Sequence, residues 1–76
     1  MSVEALEEVI ERERDDPTFR RQLAYEPDAA LHGYDITIAE REALVSGDEV
    51  KLRQLGVSPE LSRLAGRFNQ EESHTP

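Results

Sequence analysis

Residues 31–56 read LHGYDITIAEREALVSGDEVKLRQLG, two helix starts set between three glycines. Gly33 is expected to close one helix and Thr37 to open the next. Thr37-Ile38-Ala39-Glu40 fits a capping box: the threonine hydroxyl accepts from the Glu40 N–H, and the Glu40 carboxylate reaches back to the Thr37 N–H. Ser46-Gly47 then stops that helix, Asp48 caps the following one, and Gly56 stops it in turn. Leu31, Tyr34, Ile36, Leu44, Val50, Leu52 and Leu55 lie between the caps. The stretch specifies short helices joined by tight turns. It holds no nucleophile, ligand cluster or phosphate loop.

Working outward toward the N-terminus, the same devices recur. Glu26-Pro27 and Asp16-Pro17 each set a cap before a proline at the first helical position, where the missing N–H costs nothing. The expected helices are Pro27 to His32, anchored by Leu31, and Pro17 to about Tyr25, with Phe19 and Leu23 on one face. Ser2 is read as the N-cap of a first helix over residues 3–14. Val3, Leu6, Val9 and Ile10 form its apolar stripe, and Glu8–Arg12 is an i,i+4 pair in the favourable order.

Toward the C-terminus, residues 49–55 form a helix with Val50 and Leu55 inside and Leu52 at an edge. Val57 bridges to Ser58-Pro59, a third cap-plus-proline start. The last helix, residues 59–68, places Leu61, Leu64, Ala65 and Phe68 on one face. Gly66 falls inside it, costs about 1 kcal/mol there relative to Ala, and is read as a fraying end. Residues 69–76 (NQEESHTP) are polar, without an apolar anchor, and are expected to be disordered.

Short helices are unstable alone in water, so they must wrap one shared core. The reading is therefore all-α: a single domain of five to six short helices over residues 1–68, with a flexible polar tail over 69–76. The expected core is Leu6, Ile10, Phe19, Leu23, Leu31, Tyr34, Ile36, Leu44, Val50, Leu55, Leu61 and Leu64. A chain of 76 residues buries only about 60% of its unfolded surface, and with no cysteine it has neither disulfide nor thiolate ligand.

The net charge of −8 opposes binding to nucleic acid, which rests on cations neutralising phosphates, and to anionic membranes. No apolar run reaches the length of a membrane span and the N-terminus lacks an apolar signal region, so the cytosol is the expected compartment. Glu7, Glu8, Glu11, Glu13, Asp15 and Asp16 are read as a solvated acidic face. His32 and His74 have no second ligand at metal-binding spacing. Ser46-Gly47-Asp48 lacks the first glycine and the strand of a hydrolase elbow. The expectation is no enzyme, no metal and no cofactor.

The order Asp16-Pro17-Thr18-Phe19-Arg20, Pro27-Asp28-Ala29-Ala30-Leu31, Gly33-Tyr34-Asp35-Ile36-Thr37, Glu40-Arg41-Glu42-Ala43-Leu44, Gly47-Asp48 and Leu52, Leu55, Gly56, Val57 resembles the small helical domain of LigAB-type extradiol dioxygenases. It is also similar to the recognition domain of ribosomally made precursor peptides of the borosin and nitrile-hydratase-leader-like kinds. The precursor resemblance implies a non-catalytic domain that docks on a larger modifying enzyme, such as an α-N-methyltransferase, and offers its C-terminal tail as substrate. The dioxygenase resemblance implies instead an accessory subunit on an iron-bearing catalytic chain. A free-standing acidic adaptor for a basic groove is a third reading. The residues so implicated in docking are Phe19, Leu23, Leu31, Tyr34, Ile36, Gly47, Asp48, Leu52 and Leu55. Those implicated in tail modification are Phe68, Asn69, Ser73, His74 and Thr75.

Overall fold

The computed structural model describes residues 3–73, the last five of them by backbone alone. Six helices follow one another: α1 Val3–Asp15, α2 Pro17–Tyr25, α3 Pro27–Ala30, α4 Ile38–Ser46, α5 Glu49–Gln54 and α6 Pro59–Ser73. The all-α architecture read from the caps is the observed one. Among the described residues no helix is long and apolar enough to cross a membrane. The expected Ser2 cap and the tail residues His74 and Thr75 lie outside the described residues.

Most of the local devices form as their chemistry dictates. Asp16 Oδ1 accepts from the Thr18 and Phe19 N–H groups at 3.0 and 3.2 Å. The capping box closes, with Glu40 N–H donating to Thr37 Oγ1 at 3.2 Å and Thr37 N–H to Glu40 Oε1 at 2.8 Å. Asp48 Oδ1 accepts from Lys51 N–H at 3.0 Å, and Ser58 Oγ from Leu61 N–H at 3.3 Å. Glu26 is the exception: it makes no side-chain cap. Aspartate, asparagine and serine hold an oxygen at the reach a cap requires, and glutamate does not belong to that set.

Two glycine turns share one hydrogen-bond pattern. After α4, Gly47 N–H donates to Leu44 O and Asp48 N–H to Ala43 O. After α5, Gly56 N–H donates to Arg53 O and Val57 N–H to Leu52 O. Both are Schellman closures, whose turning residue must be left-handed. Gly47 has φ +66° and Gly56 φ +108°.

The buried apolar set is Leu6, Val9, Ile10, Phe19, Leu23, Ala30, Leu31, Ala43, Leu44, Leu52, Val57, Ala65 and Phe68. Tyr34, Ile36, Leu55, Leu61 and Leu64 pack against it, partly exposed. Helix α6 binds the set together, packing against α1, α2, α4 and α5.

Three expectations are corrected by these contacts. Val50 is 62% exposed and Leu52 is fully buried. Two residues on a helix are separated by about 200°, so Val50 and Leu52 cannot share a face, while Leu52 and Leu55 can. Second, the early acidic residues do not form one solvated face. Glu13 is buried, Glu7 Oε2 accepts from Ser58 N–H at 3.1 Å, and Arg12 turns to Tyr34 rather than to Glu8. Third, α6 does not end at Phe68; helical backbone continues through Ser73.

Gly66 is likewise not at a fraying end. A Cβ placed on it would meet the Gly47 carbonyl oxygen at 3.5 Å and the Glu49 Cβ at 3.9 Å, both ordinary contacts. Alanine therefore fits, and Gly66→Ala is expected to raise stability by about 0.5–1 kcal/mol. A higher urea midpoint at unchanged slope would show it; a lower midpoint would mean that α6 needs a closer approach to the α4–α5 turn.

Candidate functional site

The nine residues implicated in docking divide into an interior set and a surface set. Phe19, Leu23, Leu31 and Leu52 are buried, so they shape the domain from beneath. Tyr34, Ile36 and Leu55 are partly exposed, and Asp48 is exposed but engaged as the α5 cap. Gly47 is the left-handed stop of α4.

Phe19 and Tyr34 are brought together. Their ring centroids lie 6.3 Å apart at an interplanar angle of 53°, a tilted pair within the separation at which aromatic rings attract. Arg12 spans both: its guanidinium carbon is 4.3 Å from the Phe19 centroid, and Nη1 donates to Tyr34 Oη at 3.1 Å. That hydrogen bond raises the already high pKa of Arg12. The cluster ties α1, α2 and the segment after Gly33 into one face, on which Arg12 is exposed and Tyr34 half-buried.

The other end of the site lies on α6. Phe68 is buried, and the Arg20 guanidinium carbon sits 4.7 Å from its ring centroid. Arg20, Phe68 and Glu13 border a small cavity of about 20 Å³ together with Leu23, Leu44 and Ala65. Of the residues implicated in tail modification, Phe68 is thus an anchor in the domain. Asn69 and Ser73 lie on the helical backbone that follows.

Sequence reading missed one surface. Helices α1 and α6 border an open groove of about 470 Å³, with Leu61 and Leu64 half-buried in it and Arg14, Arg63 and Arg67 around it. Its signal was present in α6, where Glu60, Leu64 and Arg67 recur on one stripe opposite Ser62 and Ala65. Arg14 donates to Asp15 at 3.0 Å, and this hydrogen bond lowers the Asp15 pKa. A shallow hollow on α2 is bordered by Thr18, Arg21, Gln22, Tyr25 and Glu26; Tyr25 there is 68% exposed.

The polar residues that suggested chemistry have structural partners or positions. Ser46 Oγ donates to the Ala43 carbonyl within its own helix, and His32 is exposed just past α3. Among the described residues, no group of three His, Asp or Glu side chains is arranged to hold a metal ion.

Comparison with protein-family models, curated proteins and solved structures found no match to this chain.

Proposed function

We propose that the chain is a cytosolic, non-catalytic recognition domain. It docks on a larger modifying enzyme and presents its C-terminal residues as the substrate, in the manner of a borosin-like precursor. The observation that carries this reading is how α6 leaves the domain. Phe68 is the last residue whose side chain is described; it is anchored under Arg20, and the helical backbone continues for five further residues. At about 1.5 Å per residue that carries the backbone ~7 Å past the anchor. A polar helical end just over one turn long unwinds at little cost. The segment can thus be delivered in a fixed direction and still be threaded into an enzyme's site. The resemblance over residues 16–57 supports the same reading. The net charge of −8 suits an enzyme whose docking surface is basic.

The test is intact mass with fragmentation on the protein isolated from its native cells with whatever co-purifies. The expected result is a mass shift that maps within residues 69–76 and is lost when those residues are deleted, while docking on the enzyme persists. An unmodified chain in stoichiometric complex with an iron-bearing oxygenase would overturn this reading in favour of an accessory subunit.

A further inference from the structure

A second pattern on α6 is independent of the C-terminal segment. Glu60, Leu64 and Arg67 stand at i, i+4 and i+7, which puts them on one stripe of the helix. Ser62 and Ala65 are buried on the core side and Leu64 packs against the edge of the core, so this stripe runs along the border between core and solvent. Glu60 and Arg67 are exposed and Leu64 is half-buried. The stripe forms one side of the α1–α6 groove, and Glu11 and Arg14 of α1 border the other. Among the described residues, neither Glu60 nor Arg67 is held in an ion pair of its own.

We propose that this groove docks a second copy of the chain, forming a two-fold dimer with its α6 helices antiparallel. The order of charge along the stripe specifies the occupant: negative at 60, apolar at 64, positive at 67. An antiparallel copy centred between positions 63 and 64 sets Glu60 of each chain opposite Arg67 of the other. A parallel copy would set like charges together. A uniformly acidic segment would meet Glu11 and Glu60, and a uniformly basic one would meet Arg63 and Arg67. A two-fold contact makes every pair twice, so one complementary Glu–Arg register yields two pairs around Leu64. Opposite charges at such positions set helix orientation. A domain of this size also gains stability by association.

Sedimentation velocity on the intact chain, from micromolar to millimolar concentration, is expected to show the mass rising from 8.6 kDa toward twice that value. Glu60→Arg and Arg67→Glu each place like charges together at two points and should weaken association about tenfold or more. Mixing the two variants in equal amounts restores it, because a heterodimer again sets opposite charges together at both points. A nitroxide on Arg63→Cys, in a chain with no other cysteine, lies beside the two-fold axis. It should show spin–spin broadening that disappears on dilution with unlabelled chain. This last readout decides the matter if either charge variant fails to fold. Monomer mass at every concentration, single variants that associate like the parent, or a mixture no better than its components would each overturn the proposal. So would a parent chain that stays monomeric while a different protein occupies the groove.

Discussion

Leu52→Asp should leave the chain unfolded, while Val50→Asp, two residues earlier on the same helix, should leave stability within about 0.5 kcal/mol. Leu52 is fully buried and Val50 is 62% exposed. Truncating a buried leucine to alanine costs about 2–5 kcal/mol, and aspartate adds a charge with no partner in an apolar site. A domain of 76 residues has a total stability of about 4–11 kcal/mol, so the combined loss consumes most or all of it. Leu52→Ala supplies the measurable intermediate. At position 50 the outcome differs because the side chain meets water and lies in the first turn of α5, where a carboxylate suits the helix dipole. Far-UV circular dichroism and urea titration of the three variants check the order. If Val50→Asp proves the damaging substitution, the phase assigned to α5 is wrong.

That pair of residues also marks where sequence reading reaches its limit. Caps and stops were legible because each is a local contract between a side chain and a backbone group three or four residues away. Thr37 with Glu40, Asp16 with Phe19, and Asp48 with Lys51 depend on nothing distant. The direction in which a short helix turns its apolar residues is a different matter. Helix α5 has six residues, too few for a periodic stripe, and Val50 and Leu52 are equally apolar. What decides between them is the Schellman closure at Gly56, whose Val57 N–H donates to Leu52 O. It folds a buried valine back over the same face that Leu52 shares with Leu55.

The same distinction explains the acidic residues of α1 and the candidate site. Glu13 follows Val9 and Ile10 at i+4 and i+3, so helical periodicity puts it on the core face whatever its charge. Composition alone put it with the solvated acids. Ser62 is the counterpart in α6: it is fully buried, and its hydroxyl donates to the Val57 carbonyl at 3.5 Å. Polar residues with a tertiary or turn partner cannot be told from surface residues by their identity. The clusters of the site, Arg12–Phe19–Tyr34 and Arg20–Phe68, join residues 22 and 48 positions apart at their widest. No local rule reaches across that distance. The residues were individually visible as aromatic anchors, but their cationic partners were not.

Phe68→Ala is expected to free the C-terminal end of α6 and to cost about 3–5 kcal/mol if the domain remains folded. Phe68, the last residue whose side chain is described, is buried at 7% exposed with the Arg20 guanidinium against its ring. Truncation removes the apolar contact and the cation–π interaction together, the latter worth about 0.5–2 kcal/mol. Phe68→Leu keeps the burial and loses only the ring, so it should fall well short of the alanine cost. The distinguishing feature of the alanine variant is where the loss appears. Ala65 still anchors the helix one turn earlier, so hydrogen exchange should accelerate most for amides beyond residue 67, with α1 through α5 protected in proportion to the global stability. Uniform acceleration through all six helices would mean that Phe68 supports the whole core rather than the end of α6. The proposed function adds a second consequence. If a partner enzyme reads the direction in which α6 delivers its C-terminal residues, a folded Phe68→Ala chain should still dock. It should then be modified more slowly and at less uniform positions than the parent, because the segment is no longer aimed from a fixed point.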